Sequence, residues 1–213
     1  GGIHCEFKAA VIRDNVITGN SAGPWSDGGG IHCDESSPLI RGNMITSNSA
    51  GWNGGGIHCR GSDSALIDNN LIAKNAGEDG AGISCMSSYP TISNCTIADN
   101  YPIEPWDNGG GIWAYYSDPT IVNCIIWANG DDLYDCSATY CCIEDNDRGT
   151  GNIHDDPRFM SGPFGGYYLD PDSPCIDAGS QSAEDAGMSG HTTQTDGTPD
   201  TGKVDMGFHY PLP

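Results

Sequence analysis

The chain has 213 residues, of which 31 are glycine, 29 are Asp or Glu and only 8 are Lys or Arg, for a formal charge of -21 at pH 7. So negative a field repels nucleic acid and anionic membrane surfaces, and so few cations argue against long helices laced with ion pairs. No apolar run is long enough to cross a bilayer as a helix. The length suits one domain, or one domain with an appendage.

The first predicted element is a glycine cluster followed by an apolar, polar, apolar triplet. GGGIHC stands whole at Gly28 to Cys33 and again at Gly54 to Cys59. It is clipped at Gly1 to Cys5, softened to GAGISC at Gly80 to Cys85 and altered to GGGIWA at Gly109 to Ala114. Recurrence at a nearly fixed interval marks the turn and first strand of a repeating unit.

Each unit then supplies two more isoleucines. Ile3, Ile31, Ile57, Ile83 and Ile112 make one column, Ile12, Ile40, Ile67, Ile92 and Ile121 a second, and Ile17, Ile45, Ile72, Ile97 and Ile126 a third. Three short β-branched segments separated by Gly, Asn, Ser or Pro predict three strands and three bends. The reading is an all-β, three-sheet parallel β-helix of about five or six coils over residues 1–148, right-handed by the general crossover preference. Three residues after each third isoleucine comes Asn20, Asn48, Asn75, Asn100 or Asn129, an amide ladder expected to stack inside a bend. Asn15, Asn43, Asn70, Cys95 and Cys124 are expected to line another bend.

Beyond Asn129 the period fades, and residues 149–213 are expected to form an irregular segment that folds back on the coils. The stretches VNCIIWANGDDLYD, GTGNIHDDPRF, GGYYLDPDSPCIDAG and DGTPDTGKVDMGFHY, in that order, resemble the C-terminal part of bacterial right-handed parallel β-helix repeat proteins. These are related to the polymorphic outer-membrane protein type of repeat. The resemblance implies an exported or surface protein and says little about activity.

Within IHC, alternation turns isoleucine and cysteine inward and histidine outward, so His4, His32 and His58 should form an external column. With Glu6, Asp34, Glu35 and Arg60 beside it, that column is the best enzyme-like constellation. Acidic pairs, bound calcium and a cation for the enolate are what β-helix polysaccharide lyases and hydrolases need. Trp25, Trp52 and Trp106 precede glycine clusters and could stack on sugar rings, or merely cover the glycine-rich bends. Asp196, Asp200 and Asp205, with Asp170, Asp172 and Asp177, sit among Gly, Pro and Ser and are candidate calcium ligands; the other reading is a set of solvated loops.

Cys5, Cys33, Cys59 and Cys85 are expected to form an inward ladder. Cys95 with Cys124, and Cys136, Cys141, Cys142 and Cys175, are the better disulfide candidates. Outward positions Val11, Leu39 and Leu66, then Val16, Met44, Leu71 and Ile125, are too apolar to stay bare. Either the C-terminal segment, with Phe159, Phe164, Tyr167, Tyr168, Phe208 and Tyr210, or a neighbouring subunit should cover them.

The first copy begins inside a coil, which suggests a processed end or one that docks head to tail. The leading expectation is a non-catalytic extracellular or cell-surface structural protein, adhesive or self-assembling into a filament or stalk. Its partners would be copies of itself or other surface proteins, with no cofactor unless calcium binds. The alternative is a polysaccharide-binding or polysaccharide-degrading β-helix.

Overall fold

The computed structural model describes residues 1–61, 64–104 and 108–212. Among them, three parallel sheets of six strands each form the body of the molecule, and the only helix has four residues, Ala183–Ala186. The first sheet runs Ile3–Glu6, Ile31–Asp34, Ile57–Arg60, Ile83–Met86, Ile112–Tyr115 and Leu133–Tyr134. The second and third are built from three-residue strands such as Leu66–Asp68 and Leu71–Ala73, each ending in a two-residue strand, Ala138–Thr139 and Cys142–Ile143. Neighbouring coils pair in register, Ile31 with Ile57, Ile40 with Ile67 and Ile45 with Ile72. This is the predicted solenoid.

Short strands can close a coil only if the chain turns sharply between them. It does so through left-handed residues at strand ends, as at Asn69 (φ 50°), Asn94 (φ 51°) and Asn123 (φ 56°). Asn and Gly tolerate that conformation best, which is why both are abundant here. The isoleucine columns are buried almost completely and, with Cys33, Cys59 and Cys85, form one continuous core. Apolar burial of this kind stabilises by ~25 cal/mol per Å2 and depends on both neighbours being present.

The amide column is a hydrogen-bonded ladder. Asn48 Nδ2 donates to Asn75 Oδ1 at 3.0 Å, and Asn75 Nδ2 donates to Asn100 Oδ1 at 2.9 Å. Each backbone N–H joins in, Asn75 N reaching the same oxygen at 3.0 Å, while Asn75 Nδ2 also donates to Ile45 O at 2.9 Å. Asn20 begins the ladder on Asn48 at 2.9 Å, and Asn129 ends it on the carboxylate of Asp132 at 2.9 Å. The ladder needs room beside it: a Cβ on Gly56 would sit 3.0 Å from Asn75 Nδ2 and 2.9 Å from Ile72 Cγ2.

In the second bend column, thiols replace amides partway along. Asn70 N donates to Cys95 Sγ at 3.4 Å, and Cys95 N to Cys124 Sγ at 3.4 Å. Here the sequence expectation is corrected: all ten cysteines are free thiols, including Cys95, Cys124, Cys136, Cys141, Cys142 and Cys175. In this column the thiols also reach backbone carbonyls, Cys95 to Ser93 O at 3.1 Å and Cys124 to Val122 O at 3.3 Å.

Residues after the last coil fold back over the third sheet. Leu71, Ala73 and Ala98 are covered by Tyr167, Tyr168, Phe208 and Tyr210, and Ile125 by Leu169 and Met206. Leu71 and Ile125 are therefore not docking positions for a partner; the chain covers them itself. Met44 is half-buried, whereas Val16 is 70% exposed. Backbone pairing of the last coil continues to Ile153, which bridges Cys142.

Candidate functional site

The outer face of the first sheet carries two adjacent side-chain columns. Strand register places His4, His32, His58, Ser84, Trp113 and Tyr134 in one. Glu6, Asp34, Arg60, Met86 and Tyr115 make the other. The histidine rings follow one another at 4.9 Å and 5.0 Å between centroids. His32, His58, Asp34, Arg60 and Glu6 thus share one face.

They do not share one environment. His4 is exposed and His32 half-buried, but His58 is fully enclosed. All three keep the expected outward register, but His58 does not reach solvent. The bend before the strand closes over the column, so that a Cβ on Gly54 would lie 2.7 Å from His58 Cβ. His58 Nδ1 lies 3.1 Å from Ser84 Oγ, and Nε2 lies 3.9 Å from Asp27 Oδ2. Burial pushes its pKa down to about 4, against the opposing pull of Asp27. A neutral imidazole at neutral pH follows, but Ser84 is also fully buried, so this Ser–His–Asp arrangement offers substrate no nucleophile.

Asp27 belongs to a further column of bend residues, paired coil to coil, that sequence reasoning did not single out. Asn53 donates to Asp27 Oδ1 through both its backbone and side-chain nitrogens at 3.0 Å, and Asn108 N donates to Asp79 Oδ1 at 2.9 Å. The signal was present, because Asp or Asn stands immediately before four of the glycine clusters.

Two of the three tryptophans lie on the bend edge that this column borders; Trp106 lies outside the described residues. Trp25 is 72% exposed and Trp52 is 40% exposed, with their rings edge to face at 6.0 Å. Trp25 is held at φ 64°, a left-handed conformation that bulky side chains rarely adopt. Beside the pair runs a shallow groove of about 480 Å3 lined by Gly23, Pro24, Ala50, Gly51, Glu78 and Ile103. Trp52 has lost more than half of its exposure, as a ring that covers the bend would, whereas Trp25 has kept most of it.

The C-terminal aspartates separate. Asp196 is exposed, its Oδ1 accepting from Thr198 N at 2.9 Å. Asp200 and Asp205 are buried, and they meet His209, which the sequence reading had not considered. Asp205 accepts from Thr193 Oγ1 at 2.6 Å and from Asp177 N at 2.8 Å, and burial raises its carboxyl pKa. Asp170 and Asp172 hydrogen-bond locally, Asp172 N to Asp170 Oδ1 at 2.8 Å.

A family model described as a right handed beta helix region matches residues 29–155, more than half of the chain. Comparison with curated proteins and with solved structures gives no match.

Proposed function

This chain belongs to the right-handed β-helix family, and from that premise we propose that it is a non-catalytic, extracellular adhesive module that binds a neutral polysaccharide along the Trp25–Trp52 edge. The observation that carries this reading is Trp25 itself, 72% exposed beside a second exposed indole. An indole face suits the apolar face of a sugar ring, and Trp25 and Trp52 place two such rings on adjacent coils.

Charge selects the class of glycan. With -21 overall and Glu78 in the groove, an anionic polymer would be repelled, whereas a neutral one offers hydroxyl groups to carboxylate acceptors. The histidine column supports catalysis less well, because His58 and Ser84 are sealed from solvent.

Affinity electrophoresis through gels cast with neutral glucans, mannans and xylans, and with anionic polyuronates, tests the proposal. The protein should be retarded by at least one neutral polymer and by no polyuronate. Trp25→Ala and Trp52→Ala should each weaken binding about 3- to 10-fold, the worth of one aromatic contact. Full retention of binding in both variants, or no retardation by any neutral polymer, would sink the reading.

A further inference from the structure

We propose that Asp200, Asp205 and His209 form a binding site for one divalent transition metal of the zinc type inside the C-terminal segment. One ligand atom from each lies within 4.8 Å of the others, and the three residues are 4%, 2% and 1% exposed. The proposal does not rest on the polysaccharide reading.

Two observations besides this clustering point to a cation. The first is the histidine's orientation. His209 Nδ1 lies 2.9 Å from Gly207 O, an acceptor, so Nδ1 must carry a proton. In a neutral imidazole Nε2 then presents its lone pair, and it does so 2.8 Å from Asp200 Oδ2, another electron-rich atom. Something positive belongs between them, either a second proton or a metal. A backbone carbonyl that fixes Nδ1–H while Nε2 ligates is the usual second shell of a metal-bound histidine. The second observation is Asp200 Oδ1, which is buried and has no hydrogen-bond partner among the described residues. An orphaned carboxylate oxygen in an interior is costly, and a metal at this point would satisfy it.

The remaining ligand is already oriented. Thr193 Oγ1 and Asp177 N hold the two oxygens of Asp205, and Asp205 N donates to Asp200 Oδ2 at 3.1 Å. One imidazole and two carboxylates fit zinc and its neighbours, which take three protein ligands plus a fourth group. Calcium is served poorly, since it requires six to eight oxygens. Tetrahedral zinc sets its ligand atoms about 3.3 Å apart, so the His209–Asp200 separation must widen by about 0.5 Å.

Such a metal would join Asp177, Thr193, Asp200, Asp205 and His209, drawn from a segment with little regular structure. Because the unfolded chain lacks the assembled site, the free energy of metal binding adds to that of folding. His209 is also tied to the solenoid, its N–H donating to Asn69 Oδ1 at 2.7 Å.

The test uses the purified full chain, stripped with a chelator and titrated separately with Zn2+, Co2+ and Ca2+. One equivalent of Zn2+ should bind and raise the melting temperature. Co2+ should give weak visible ligand-field bands without the intense near-ultraviolet band of thiolate ligation. Its NMR spectrum should show one strongly shifted exchangeable proton, from His209 Nδ1–H. His209→Gln and Asp205→Asn should abolish the shift in melting temperature. If either variant misfolds, the Co2+ spectrum of the unaltered chain decides alone. Zinc binding that survives both variants, calcium binding in place of zinc, a thiolate band, or no stoichiometric binding would each overturn the proposal.

Discussion

The solenoid and the segment that folds over it solve the same problem, burying backbone without long elements, in opposite ways. In the solenoid, Asn48, Asn75 and Asn100 do one job repeatedly, each oxygen accepting two bonds from the coil before. In the C-terminal segment every contact is unique. Asn69 exchanges two bonds with the backbone of His209, Thr96 Oγ1 accepts from Phe208 N, and Asn123 Oδ1 accepts from Ser180 N. Repetition spreads stability along an axis, whereas unique anchors concentrate it. A single substitution should therefore act globally in the first region and locally in the second.

The largest expected effect is at the middle of the amide ladder. Asn75→Leu strips the acceptor from Asn48 N and Nδ2, the side-chain donor from Asn100 Oδ1, which keeps only the backbone N–H of residue 75, and one donor from Ile45 O. Several buried groups orphaned together should cost about 4 kcal/mol in chemical denaturation. Asn20→Leu, at the half-buried start of the ladder, should cost about 1 kcal/mol. Equal costs would mean that the column is not cooperative.

Next comes acid sensitivity. The pKa of His58 falls from its ordinary 6.5 to about 4, so folding favours the neutral ring. That contribution is fully present above pH 6.5 and is lost as pH falls to about 4. It amounts to about 3 kcal/mol. His58→Gln should flatten the stability curve across this interval. A parallel curve would place the acid response elsewhere, in the carboxylates of the C-terminal segment for instance.

Asn69→Ala tests the other region. Without its two bonds to His209, amides near residues 207–209 should exchange faster, while the global unfolding free energy falls by only about 1–2 kcal/mol. Loss of the whole solenoid in one step would show that the two regions fold as a single unit.

What the sequence disclosed follows the same division. The isoleucine and asparagine columns were legible because each coil restates them, and the stack forces identical residues into register. His58 misled because strand alternation says which face a side chain takes and nothing about a bend closing over that face. His209 was invisible for a different reason. Its partners Asp200 and Asn69 are 9 and 140 residues away, in positions that no period connects. The C-terminal aspartates drew attention as a composition, and composition does not reveal that Asp196 stays outside while Asp200 and Asp205 go in.

The smallest effect is expected from reduction, and it bears most directly on whether the two regions are separate. If all ten cysteines are thiols, a reducing agent should leave the melting temperature unchanged, and the denatured, unreduced chain should give ten reactive thiols. Cys95→Ser should cost less than about 1 kcal/mol, because a hydroxyl can take both the Asn70 N–H and the Ser93 carbonyl. The informative exception is Cys142. It sits in the last coil, and its thiol interacts with that of Cys175 in the covering segment, which raises its pKa far above the ordinary range. Both are fully buried in the same apolar cluster. A thiol count lower by two, with peptide mapping to Cys142 and Cys175, would mean a covalent link between solenoid and cover. The Asn69→Ala variant would then keep its C-terminal segment in place, and local loosening would be confined to residues near the lost hydrogen bonds.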